Sequence, residues 1–108
     1  MGAKEISTPT NTLDMLIVAL CADYERREEL IRSGKLKARV EAEYRYFNAK
    51  IRNAAEDIVG EGRALIMIKE VGEKRGYAKS EITDMCEKSY KVKKHAVKEL
   101  IAQRLHLA

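Results

Sequence analysis

Two runs of apolar residues at helical spacing, separated by a glycine, constrain this chain more than anything else in it. Leu13, Leu16, Ile17, Leu20, Tyr24 and Ile31 recur at intervals of 3, 1, 3, 4 and 7, which keeps one face of a 3.6-residue helix apolar. Asn11 or Thr12 suits the N-cap, and Gly34 suits the left-handed residue that closes a helix, so a first helix is expected from about Thr12 to Ser33. Leu36, Val40, Tyr44, Phe47, Ile51, Ala54 or Ala55, and Ile58 continue the pattern into a second long helix that Gly60 and Gly62 interrupt. Joined at Gly34, the two predict a long antiparallel helical hairpin over residues 12–59 with contacts along its length.

Beyond the hairpin the pattern shortens. Residues 63–69 form an apolar run between glycines that would suit a buried strand, but no second candidate strand exists to pair with it. A third helix is therefore expected from about Glu61 to Lys74, with Gly72 weakening its end and Gly76 stopping it. Ser80 precedes residues 81–86, whose early acidic side chains favour a short fourth helix. Ser89 suits the cap of a fifth, with Val92, Ala96, Val97, Leu100 and Ile101 as its apolar arc, unless the fourth and fifth are one continuous rod. The expected architecture is all-α: one domain over residues 1–108, with a disordered arm at 1–10, the hairpin at 12–59, and a compact three-helix part at 61–105 arranged like a helix-turn-helix.

Composition narrows the function. At 108 residues the chain supports one core without a metal or disulfide staple. Cys21 and Cys86 form no CxxC motif and are expected to be reduced core residues, and with His95 and His106 they are too scattered to hold zinc. The longest apolar run, Met15 to Ala22, is too short to span a membrane, and residues 1–10 lack the apolar core of a signal peptide, so a cytoplasmic protein is expected. Gly60-Glu61-Gly62-Arg63 lacks the Lys-Ser/Thr of a phosphate loop, Glu41, Glu43, Glu56 and Asp57 occupy polar helical positions, and neither His belongs to a recognisable nucleophile frame. Neither an enzyme nor a cofactor is expected. Core or interface packing is the expected role of Tyr44 and Tyr46.

Charge points to a partner. Residues 1–60 carry ten basic and ten acidic side chains, and residues 61–108 carry eleven and seven, so the formal excess of +4 lies in the second half. Lys88, Lys91, Lys94 and Lys98 are spaced 3, 3 and 4 apart, forming one stripe with His95 beside it. Such a stripe neutralises phosphates and releases counterions, although a solvated lysine face has the same pattern. Lys93 falls within the apolar arc and is expected to snorkel.

The order short helix, turn, basic helix gives this stripe a frame. Residues 81–89, followed by Val92-Lys93-Lys94-His95 and then Leu100 and Leu105, resemble the C-terminal helix-turn-helix of LuxR-type and sigma-factor region-four-like regulators, over about a quarter of the chain. Thr83 stands where those families carry a small Ala, Cys86 where they carry Leu, and the interval from Ser89 to Val92 is one residue shorter. The resemblance implies that Ser89 caps the reading helix and that Tyr90, Lys91, Lys94 and His95 face DNA. A second register would use Ile66 to Arg75, a turn at Gly76-Tyr77-Ala78, and a nearly neutral reader from Ser80 to Lys88. A looser similarity joins the chain to small regulators carried by phages and mobile elements.

The leading expectation is thus a small DNA-binding transcriptional regulator of phage or mobile-element type, acting as a homodimer on duplex DNA through Lys88, Tyr90, Lys91, Lys94, His95 and Lys98. The alternative is a protein-interaction module of the same origin that binds and inhibits a host nucleic-acid-processing complex such as a CRISPR effector. It would dock through the mixed-charge faces around Glu25 to Arg32 and Glu41 to Lys50. A third possibility is a purely structural oligomer held by its apolar arcs.

Overall fold

Asp23 divides the first apolar pattern in two. In the computed structural model, which describes residues 2–107 with side chains from Thr12 onward, helix α1 runs Gly2–Ala22 and α2 runs Tyr24–Ser33. The arm expected at 1–10 falls outside the residues whose side chains are described, while the backbone of α1 begins at Gly2. Three further helices follow, α3 Ala38–Val59, α4 Glu61–Gly72 and α5 Glu87–Arg104, with a single 3-10 turn at Tyr77–Lys79. The described residues contain no strand, and the ambiguous run at 63–69 is helical.

The break at Asp23 changes what packs on what. Backbone bonds from Asp23 N to the Ala19 carbonyl and from Arg27 N to the Asp23 carbonyl carry helical pairing across the junction, both at 3.1 Å. At this junction the Arg27 side chain, 3% exposed, reaches back to donate to the Leu20 carbonyl at 2.6 Å, competing for an acceptor of the helical ladder. Its Nε donates to Asn48 Oδ1 on α3 at 2.7 Å, and Asn48 Nδ2 donates to the Tyr24 carbonyl at 3.1 Å and to Glu28 Oε2 at 2.9 Å. Of the two, α2 packs on α3, while α1 packs on α4 and α5. The uninterrupted hairpin expected over 12–59 is confined to α2 and α3, since apolar periodicity does not register an arginine that bonds back across this junction.

The core lies where α3, α4 and α5 meet under α1, and is built from Ile17, Cys21, Ile51, Ala54, Ala55, Met67, Ile68, Val97 and Ile101 among others. Gly72 permits a close approach of α4 to α1. A Cβ there would lie 2.6 Å from both Cα and N of Ala22, so the end of α4 rests directly on the α1 backbone. The glycine that weakens the helix locally is what the packing demands. Gly34, at φ 70°, closes α2 in the left-handed conformation expected of it.

Residues 80–86 are not helical, which corrects the expected fourth helix in both proposed registers. Ile82 is buried, the Ser80 hydroxyl and the Glu81 N–H both donate to Glu70, and the Tyr77 hydroxyl donates to the Met85 carbonyl at 3.1 Å. Each bond holds the segment to the body of the protein and away from local helical pairing. The chain then enters α5 at Glu87 and passes through Ser89 without a break, so Ser89 caps nothing. Cys86 is exposed at the mouth of this helix, against the expectation of a core cysteine, while Cys21 is buried and its thiol is pushed up to about 12 by that burial.

Replacing Gly72 with Ala is expected to destabilise the fold by about 1–3 kcal/mol through overpacking against Ala22, read from urea denaturation. Asn48→Ala, which leaves the buried Arg27 Nε without an acceptor, is expected to cost about 1–3 kcal/mol in the same assay.

Candidate nucleic-acid interface

Helix α5 owes its position to one buried carboxylate. Glu70 on α4 is 0% exposed and accepts the Ser80 hydroxyl at 2.6 Å, the Glu81 N–H at 2.6 Å and the Tyr90 hydroxyl at 2.8 Å. Arg75 Nη1 stands 3.9 Å away. Burial alone drives a carboxyl upward, but the bonds from Ser80, Glu81 and Tyr90, with the Arg75 charge, together hold Glu70 below the ordinary carboxylate value. The loop after α4 and the first turn of α5 are thereby fastened to α4 by an ion whose hydrogen-bonding demands are met.

That anchor decides which way the basic stripe faces. Tyr90, expected to face DNA, is 1% exposed and turned inward, its phenol pushed up to about 12 by burial and by its bond to Glu70. Its ring packs on Tyr77 with centroids 5.6 Å apart. Lys94 lies on the same inward side: its ammonium donates to the Arg75 carbonyl and stands 5.8 Å from the Tyr90 ring centre. Burial, and then the neighbouring Lys98, lower its pKa. Lys98 reaches across to Asp14 on α1 at 2.8 Å. These three residues hold α5 in place, so the stripe of four lysines is divided between structure and surface.

Lys88, Lys91 and His95 remain exposed on the outer face of α5. Lys91 pairs with Glu87 at 2.7 Å, and His95 Nε2 lies 3.5 Å from Glu99. Val92, expected in the apolar arc, is 60% exposed among them. Val97, Ile101 and Leu105 are buried as that arc predicts, but at its start the buried place is taken by Tyr90. Exposed Lys74 precedes, and exposed Lys79 ends, the 3-10 turn that packs on α5. The outer surface of this helix thus combines cations with an apolar side chain. These can meet phosphate oxygens, base-edge acceptors and a thymine methyl group.

Two features here escape sequence reasoning. Glu70 sits in an apolar run where periodicity assigns it no role, and only its position on the buried side of α4, between Met67 and Val71, could have flagged it. The turn between α2 and α3, read simply as a reversal, gathers Arg32, Lys35, Lys37 and Arg39, all exposed.

Among the described residues, no group of three or more His, Cys, Asp or Glu side chains is arranged to hold a metal ion. No helix among them is long and apolar enough to cross a membrane. An open cleft of about 520 Å³ lies between α2, α4 and the loop at Glu81, lined by Tyr24, Leu65 and Ile66 with Glu28, Arg32 and Lys69 around them. Comparison with known proteins finds no matching family model, curated protein or solved structure.

Lowered in the folded state, the Glu70 pKa contributes stability that is fully present above its unfolded value and lost as pH falls through the folded one. Stability of the wild type is therefore expected to fall more steeply below about pH 4.5 than that of Glu70→Gln. Asp23 and Asp84, also held low by arginine partners, contribute equally to both proteins, so the difference isolates Glu70. Equal slopes in denaturation series at several pH values would contradict this assignment.

Proposed function

We propose that this protein is a small DNA-binding regulator that uses the outer face of α5 on duplex DNA. The observation that carries the proposal is the exposed set Lys88, Lys91, Val92 and His95, presented by a helix whose opposite side is fixed by Tyr90, Lys94 and Lys98. The resemblance of residues 81–107 to LuxR-type and sigma region-four-like readers supports it through Val92-Lys93-Lys94-His95, which fall on α5. With residues 80–86 in a loop, the reader is one helix braced by that loop and not the second member of a helix pair. A homodimer accompanies this proposal, because so few free cations per chain bind DNA weakly and two copies double the phosphate contacts.

A second function, docking on a protein of a host nucleic-acid-processing complex, is favoured by the cleft beside α2 and α4, where Leu65 is 54% exposed at the rim. The two are separable in one titration.

Fluorescence anisotropy of a labelled duplex is expected to show binding that weakens at least tenfold between about 50 and 200 mM salt. K88E/K91E is expected to weaken it at least tenfold at the lower salt without changing the thermal midpoint, since neither side chain supports the core. Lys94 and Lys98 are unsuitable for this test because both side chains are already engaged within the fold, on the Arg75 carbonyl and on Asp14. Wild-type protein that binds no duplex at low salt contradicts the regulator and leaves protein docking.

A further inference from the structure

Pairing in three dimensions redistributes the charge that the sequence displays. In the first half of the chain, balanced by count, Asp14 pairs with Lys98, Asp23 with Arg26 and Arg27, Glu41 with Arg45, Glu56 with Arg52, and Asp57 with Arg104, while Glu28 and Glu29, one helical turn before Arg32, do not pair with it. Arg32, Lys35, Lys37 and Arg39 are left at the tip, exposed, and no described carboxylate lies within ion-pair distance of any of them. Four cations fall within eight residues, and the next carboxylate in sequence, Glu41, is taken by Arg45 at 2.8 Å. In the second half, nominally the basic one, two of the four stripe lysines are paired, Lys91 with Glu87 and Lys98 with Asp14. The densest uncompensated positive charge among the described residues is therefore this tip.

We propose that the tip between α2 and α3 is a phosphate-contacting arm that grips the backbone of nucleic acid independently of α5. The inference rests on the reading of the chain as a DNA-binding protein and adds a second surface to it. The backbone presents the four side chains on a defined turn: Gly34 takes its left-handed conformation, Gly34 N donates to the Ile31 carbonyl at 3.2 Å, and Lys35 N donates to Ser33 Oγ at 3.2 Å. The tip lies at the end of α3 opposite its contact with Arg104. Charge complementarity selects the partner. Closely spaced cations with no carboxylate and no aromatic ring among them, the Ser33 hydroxyl being engaged by Leu30 and Lys35, suit a regular polyanion, and their contacts carry no base information. A membrane surface is the poorer fit, because Ile31 and Leu36 beside the cations are half-buried and leave no apolar side chain to insert.

The test compares three full-length proteins by anisotropy on two unrelated duplexes, at about 50 and 200 mM salt: wild type, K35A/K37A/R39A and K88A/K91A. Thermal midpoints are recorded for each, and the tip variant is expected to match wild type because these side chains bond to nothing in the fold. Its affinity is expected to fall about tenfold at low salt and equally on both duplexes, with the salt dependence shallower by about 2 to 3 in log–log slope, roughly 0.9 per lost contact. A tip variant that matches wild type in affinity and slope overturns the arm, and loss in K88A/K91A alone then leaves the α5 reading standing. Loss in the tip variant alone supports the arm and overturns α5. Wild type that binds neither duplex overturns both, as does binding to anionic phosphatidylserine vesicles with none to DNA.

Discussion

A carboxylate buried without water must have its oxygens satisfied by the protein, and Glu70 meets that requirement by drawing three donors to itself. Two come from the loop that follows its own helix, at Ser80 and Glu81, and one from Tyr90 on α5. Because Tyr90 must point inward, the rotation of α5 about its axis is set, and with it the division of the lysines. Lys94 and Lys98 fall on the side that meets the Arg75 carbonyl and Asp14, while Lys88, Lys91 and His95 fall outside. The outer face of the helix is thus a consequence of an interaction made on its inner face.

A comparable arrangement shapes the other end of the molecule. Arg27 is buried among Leu20, Asp23 and Asn48, and its bonds tie the α1–α2 junction to α3 where α1 leaves for α4 and α5. What remains of the hairpin, α2 with the first half of α3, extends to the tip that carries Arg32, Lys35, Lys37 and Arg39. Both buried charges act by connecting segments distant in sequence, which apolar packing alone does without choosing one orientation. Gly72 contributes by letting α4 reach the α1 backbone at Ala22.

Much of the fold was legible in the sequence. Helical spacing located the stop at Gly34, the long helix ending at Val59, and the helix over the apolar run 63–69, because these depend on local periodicity and on glycine. The junction at Asp23 and the loop at 80–86 were not legible, since each depends on side-chain bonds that apolar periodicity does not register. Residues 81–86 have the composition of a helix start, yet Ser80 and Glu81 give their donors to Glu70 and the burial of Ile82 completes the loop. At the candidate site, the buried side of α5 at Val97 and Ile101 was readable but its first turns were not: Val92 and Tyr90 exchanged the places expected of them. Charge counted along the chain likewise pointed to the second half, while ion pairing leaves its densest free cluster in the first.

The most direct measurement is a map of backbone amide chemical shifts of the full chain as unlabelled duplex DNA is added. Binding through the anchored helix and the basic tip predicts shifts concentrated at residues 87–95 and 32–39, with the amides of the core between them little changed. Shifts confined to the cleft around Tyr24, Leu65 and Ile66, or none at saturating DNA, would contradict the account.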